Sequence, residues 1–326
     1  MDDGSYMEAR ATDGCSIFGR PPSRSLSVTR IIITFVRSDR RAMVGSILFL
    51  LYIAIALTGP SITLYDPDSP NLAVRMQAPS WAHWLGTDRI GRDVLTRIIA
   101  GAQVSLQVAV GAVVVALILG APLGALGSYL GGAVDSLVQR VMDAIMAFPS
   151  LVLALALVAL AGPSVIMLWF AIAFSSIPRY ARLVRSGVLT QKEREYVYAA
   201  RAMGQSPMRI LLRQILPNIM APIAVQLTLD FARAIGVEAA LSYLGLGMSA
   251  PYISWGTMIR DAQDFLEVAP WLAIFPGLAL AGVILAFTLV GDALRDRLDP
   301  RMRRSLSTPG QRIGIGHADP PGAFRS

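Results

Sequence analysis

Residues 193–217 read EREYVYAARAMGQSPMRILLRQILP, a charged and alanine-rich segment between two strongly apolar stretches, Ser164–Ile177 and Ile219–Tyr243. A connector between membrane spans has no structural need for so elaborate a segment. Glu193–Met203 is built of good helix formers, with Glu193 and Glu195 in the first turn and Arg201 in the last, each sign matching the helix dipole. Gly204 supplies the left-handed residue that ends a helix. Ser206-Pro207 is an N-cap followed by proline at the first helical position. A second helix, Met208–Leu216, therefore starts at once and is expected to break or turn at Pro217. The predicted shape is helix–turn–helix, with Tyr196, Ala199, Ala200 and Met203 on one side. Small alanines beside an aromatic suit a helix laid into another protein's groove. A solvated loop with a local amphipathic helix fits the same residues equally well.

The surroundings of this segment are those of a polytopic membrane protein. The 326 residues are 54% hydrophobic and only 16% charged, against about 25% charged in ordinary globular chains. Long apolar runs account for the difference: Ala42–Thr58, Val104–Leu126, Ala144–Ala161, Ser164–Ile177, Ile219–Tyr243 and Trp271–Val290. Each approaches the ~20 residues needed to cross ~30 Å of hydrocarbon at 1.5 Å per residue. The fold class is thus all-α, with six transmembrane helices. A cleaved signal peptide is the rival reading of the first run, and Ala54-Ile55-Ala56 resembles a cleavage site. The polar stretch before it is too long for that, since whole signal peptides run to about 30 residues.

Basic residues set the orientation. Of the 29, all but Lys192 are arginine, and 23 fall in segments that alternate with five in the others when the N-terminus is inside. That bias predicts both termini, and residues 179–217, on the cytoplasmic face. The chain divides accordingly into a tail at 1–41, a transmembrane domain at 42–300 and a Ser/Pro/Gly-rich tail at 301–326 whose composition predicts disorder. In the outer loop before the second run, Thr87-Asp88 offers an N-cap for a short interfacial helix with Ile90, Val94, Leu95, Ile98 and Ile99 on one face. Asp88–Arg92 and Asp93–Arg97 would be pairs along it. Gly120-x-x-x-Gly124 and Gly127-x-x-x-Gly131 have the spacing that lets helix backbones approach closely in lipid.

Several chemistries find no support. Cys15 is alone, and His83 and His317 are far apart, so neither a disulfide framework nor a metal cluster is indicated. Lys192 stands between Gln191 and Glu193, outside any phosphate-binding G-x-x-x-x-G-K-[ST] loop, and neither HExxH nor GxSxG occurs. No catalytic, cofactor-binding or metal-ligating residues are assigned. Asp230, Arg233 and Glu238 lie inside the fifth run, where ionisable groups are costly and default to a functional hypothesis. Asp230 and Glu238 are candidates to line a polar path. A structural Asp230–Arg233 pair, with Glu238 bonded to a neighbouring helix, is the competing reading.

The residues also resemble a known family. The central segment is similar to the cytoplasmic loop E-A-A-x3-G-x9-I-x-L-P of inner-membrane permeases from binding-protein-dependent ABC importers, in the dipeptide/oligopeptide/nickel group (DppC/OppC type). It appears here as Tyr198-Ala199-Ala200, Gly204 and Leu216-Pro217, with Tyr198 in place of the glutamate and Gln214 at the isoleucine position. Further likeness lies in His83-x-Leu85-Gly86-Thr87-Asp88-x-x-Gly91-Arg92-Asp93 and in Glu238-Ala239-x-Leu241-Ser242-x-Leu244-Gly245-Leu246-Gly247. Trp255-Gly256 and Gly291-Asp292-x-Leu294-Arg295-Asp296-x-Leu298-Asp299-Pro300 complete it.

The resemblance implies a type I ABC importer permease fold in a bacterial inner membrane. It also implies a second permease subunit, two ATPase subunits or domains that bind the ATP, and an external substrate-binding protein. Tyr196, Ala199, Ala200, Arg201, Met203 and Gly204 would then form the ATPase-coupling helix, and the cargo would be di- or oligopeptides. Nickel chelates or another small solute would suit the same machine. An ion-coupled carrier would fit the acidic residues of the fifth run but usually shows paired inverted repeats, and no motif here occurs twice.

Overall fold

A computed structural model describes residues 40–248 and 252–298, all helix, turn or loop apart from one isolated β-bridge between Thr87 and Asp93. The helices are α1 (Arg40–Ile62), α2 (Val94–Leu130), α3 (Gly132–Met146), α4 (Ser150–Ala161) and α5 (Val165–Lys192). They continue with α6 (Glu195–Ala202), α7 (Pro207–Ile210), α8 (Met220–Tyr243), α9 (Trp255–Ala262) and α10 (Trp271–Leu298). The tails, including Asp299-Pro300 of the last motif, lie outside the described residues.

Among the described residues, four helical stretches are long and apolar enough to cross a membrane: α1, α2, Pro207–Tyr243 and α10. A fifth exists if α3 and α4 count as one span bent by 87°. The expected Ala144–Ala161 span is therefore interrupted. Pro149 disfavours a helical conformation at Phe148, α3 stops at Met146, and only the twelve residues of α4 continue. The expected Ser164–Ile177 span runs on as helix to Lys192, and Arg179, Arg182 and Arg185 along that extension lower its hydropathy.

Helices α2 and α5 form the most extensively packed pair. A Cβ on Gly120 would stand 2.6 Å from the Ile177 carbonyl oxygen, and one on Gly124 only 2.1 Å from that of Ala181. This is the small-residue packing expected of the first glycine pair. The second pair behaves differently: Gly127 has ordinary clearance, with Val138 at 3.5 Å, and Gly131 caps α2 with open space around it. Two guanidinium–carboxylate pairs tie α3 to α5, Arg185 reaching both oxygens of Asp135 at 2.7 Å and Arg182 meeting Asp143.

The loop before α2 also departs from expectation. Residues 87–93 form turns rather than a separate helix, and α2 starts at Val94 with Asp93 as its N-cap, accepting from the Thr96 amide at 2.8 Å. A tight turn wins because Gly91 holds φ +82°, where a Cβ would overlap the Asn71 carbonyl oxygen at 1.8 Å. The Asp88–Arg92 pair forms at 2.6 Å inside that turn. Asp93 bonds His83 at 2.9 Å instead of Arg97. Buried Arg97 donates to the Pro67 carbonyl at 3.0 Å. Trp255, wholly buried, donates to the Ile98 carbonyl at 3.0 Å, and the backbone of Gly256 lies against Ala239, where a Cβ would be 2.4 Å from its oxygen. The Trp-Gly motif thus joins α9 to both α2 and α8.

Candidate functional site

The central segment folds as a hairpin of two short helices. Gly204 has φ +72°, the Gly204 amide donates to the Arg201 carbonyl at 2.9 Å and the Gln205 amide to the Ala200 carbonyl at 3.1 Å. These two bonds make a Schellman ending for α6. Pro207 opens α7 as expected, although the Ser206 side chain makes no capping bond. Two expectations fail. Glu193 precedes α6 and leaves only Glu195 in its first turn. Pro217 does not break the second helix: a π turn at Leu211–Ile215 and a 3-10 turn at Leu216–Ile219 absorb the missing amide donor, and the helix flows into α8.

The hairpin has a buried root and an exposed rim. Val197, Ala200, Ile210, Leu211 and Ile215 are all within 2% of full burial and pack with Val184 and Val188 of α5. Ala200 thus belongs to the root and does not share a face with Tyr196, Ala199 and Met203, which are exposed along with Arg201 and Gly204. The rim carries more apolar surface than expected: Tyr198, Met208 and Leu212 are each at least half exposed, and Met203 is 70% exposed. Met208 and Leu212 lie in the expected second helix but were not among the face residues assigned from sequence, which all came from the first helix.

Tyr198 is tied to an acid. Its hydroxyl donates to Glu193 Oε2 at 2.9 Å while the Arg201 guanidinium lies 5.7 Å from its ring centre. The bond to Glu193, and then that carboxylate's negative charge, hold the Tyr198 hydroxyl above its ordinary pKa. On the rim, Tyr196 donates to Gln191 at 2.7 Å, and behind it Lys192 at the end of α5 donates to the Tyr129 carbonyl at 3.0 Å.

The two acids of α8 lie outside this hairpin and keep separate partners. Asp230 is 1% exposed and accepts from Arg233 at 2.5 Å, from Arg179 Nε at 3.2 Å and from Gln226 at 3.2 Å. Glu238, also 1% exposed, accepts from Ser242 at 2.8 Å and from Ser105 of α2 at 3.0 Å. Both carboxylates are thus enclosed within this chain, and the charged side chain left exposed beside Asp230 is Arg233, with Arg179 half-buried. Arg179 was counted with the cytoplasmic charges on sequence grounds; its i−1 proline and long apolar approach gave no sign that it turns inward.

Residues 112–304 match the family described as the binding-protein-dependent transport system inner membrane component, and residues 29–79 match the N-terminal transmembrane domain of oligopeptide transport permease C. The chain is 45% identical to the dipeptide transport system permease protein DppC of Alkalihalophilus pseudofirmus, over 82% of this chain and 88% of that one. It is 42% identical to the di/tripeptide transport system permease protein DppC of Pseudomonas aeruginosa (82% and 91% covered). Identity to the glutathione transport system permease protein GsiD of Escherichia coli is 40% (82% and 88%). A chain of the MetNI methionine ABC transporter, solved in inward-facing conformations, superposes with a TM-score of 0.52 at 16% identity over 62% of this chain and 96% of that one, a likeness of fold.

Proposed function

This chain belongs to the binding-protein-dependent transport system inner membrane components, and from that membership we propose that it forms half of an ATP-driven import pathway for di- and oligopeptides in a bacterial inner membrane. Its partners in that reading are a second permease, two ATPase subunits or domains, and an extracytoplasmic binding protein. Hydrolysis of ATP belongs to the ATPases, and this chain carries no chemistry of its own.

The hairpin carries the mechanical part of the reading. Tyr196, Ala199, Arg201 and Met203, with Tyr198, Met208 and Leu212, present a rim suited to an ATPase groove, while Gly204 sets the angle between the two helices. Closure of the ATPases would push this rim. Because the root is packed against α5 and the second helix continues into α8, the push is transmitted as movement of whole helices rather than lost in a soft loop. Ala200 serves as a root residue. Glu238 and Asp230 hold helices together rather than meeting cargo directly.

Six crossings with both termini inside complete the topology, counting α3 with α4 as one broken span and α5 as another. The arginine bias supports it. The decisive experiment is uptake by the reconstituted importer, with its binding protein, against labelled di- and tripeptides and nickel. ATP-dependent uptake of peptides alone is expected; uptake of nickel without peptides would overturn the peptide assignment, and uptake driven by an ion gradient without ATP would overturn the importer reading.

A further inference from the structure

We propose that Arg233, supported by Arg179, binds the C-terminal carboxylate of the peptide on its way through the membrane; the inference rests on the peptide reading above. Two guanidiniums share one carboxylate. Arg179 and Arg233 both donate to Oδ1 of Asp230, and their other hydrogen bond goes from Arg179 to the neutral Ser176 hydroxyl at 2.6 Å. No second acid pairs with either arginine among the described residues. The cluster therefore carries one uncompensated positive charge.

Its position makes that charge informative. Asp230 and Arg233 lie near the middle of α8, and Arg179 near the middle of α5. At 1.5 Å per residue, Asp230 is about 15 Å from the inner end of α8, well away from lipid headgroups if that helix crosses the bilayer. An arginine held at such depth normally faces a partner or a water-filled path. The carboxylate that fixes the pair is buried, yet the Arg233 side chain is 43% exposed and that of Arg179 25%. The clamp thus orients two guanidiniums with most of their N–H donors unspent. A planar fork of this kind matches a carboxylate bidentately, and a peptide's C-terminus would bring the cluster to neutrality. The positive end of the peptide finds no counterpart here, so the cluster distinguishes the two ends of the cargo.

The test uses the complete reconstituted importer and one labelled dipeptide offered as the free acid and as its C-terminal amide. The binding protein's own preference is common to all variants, so the readout is the change in the acid-to-amide ratio of uptake per assembled complex. Arg233→Gln leaves a neutral Arg179–Asp230 pair and should assemble; its acid-to-amide ratio is expected to fall about tenfold, the factor a single charge-assisted bond commonly supplies. Arg233→Lys, which keeps the charge but loses the fork, should fall by less. An unchanged ratio in both variants would overturn the proposal. So would an equal loss of acid and amide uptake, which would mark Arg233 as the partner of an acid on the second permease or of a lipid. Absence of any peptide uptake by the unsubstituted importer would sink the peptide reading with it, whereas normal uptake with an unmoved ratio sinks this inference alone.

Discussion

Replacing Gly204 by valine tests whether the hairpin angle transmits force. A Cβ built at Gly204 meets nothing within 4 Å, so the substitution causes no clash with neighbouring side chains. The whole cost comes from the backbone: φ is +72°, where an L-residue sacrifices about 1–2 kcal/mol and a β-branched one more. That range is a factor of about 5–30 in an equilibrium. The Schellman bonds from Gly204 and Gln205 back to α6 depend on this conformation. Relief of strain would therefore swing α6 relative to α7, moving Tyr196 and Met203 away from the face that carries Met208. Asparagine, which tolerates the left-handed region, is the internal control. The expected order of loss is Asn, then Ala, then Val, in peptide uptake per ATP hydrolysed by the reconstituted importer. The valine variant should also retain less ATPase on purification. If valine and asparagine behave alike, the backbone explanation is wrong; if valine matches the unsubstituted protein in both assays, the hairpin is not the coupling element.

Four other outcomes are expected. Gly124→Ala places a methyl group where a backbone oxygen already sits at 2.1 Å, an overpacking cost of about 1–3 kcal/mol. Its thermal unfolding in detergent should begin several degrees lower, while Gly127→Ala should be neutral or slightly stabilising. Glu238→Ala leaves the Ser105 and Ser242 hydroxyls without their shared acceptor and should cost about 1–3 kcal/mol, measured in the same thermal assay. Glu238→Gln should keep uptake per folded complex unchanged, and a selective transport defect would return this residue to the pathway. Tyr198→Glu should weaken ATPase stimulation by crowding Glu193, and adding Glu193→Gln should restore part of it; additive losses would show that the two side chains do not communicate. Cys15, the single cysteine of the chain, should react with a membrane-impermeant maleimide only after cells are opened; labelling of intact cells would reverse the assigned topology.

How much of this was legible beforehand depended on whether the deciding interaction was local. The turn at Gly204 was readable because capping and left-handed φ are properties of a few consecutive residues. Contact of α2 with α5 through Gly120 and Gly124 was readable as a tendency, but nothing in the spacing distinguished it from Gly127, which meets only the Val138 side chain, and Gly131, which ends the helix. The outer loop was misread because Thr87-Asp88 and Asp93 are both competent caps, and the choice between them was made by Asn71, sixteen or more residues earlier, closing over Gly91. Pro217 was misread for a related reason. A proline forbids one hydrogen bond, yet a helix anchored on both sides can absorb the loss in a π turn followed by a 3-10 turn.

Charge was the least legible property of all. Counting arginines by segment assigns Arg179 to the cytoplasm together with Arg182 and Arg185, although these three side chains take three different acids. Arg182 and Arg185 fasten α5 to α3, whereas Arg179 reaches Asp230 on α8, 51 positions away. A helix crossing between two layers must change its partners along its length, and only the register of α5 against α3 and α8 decides which arginine turns inward. The candidate path residue consequently shifted from an acid, conspicuous in sequence inside an apolar run, to the exposed Arg233 that the acid holds in place beside half-buried Arg179.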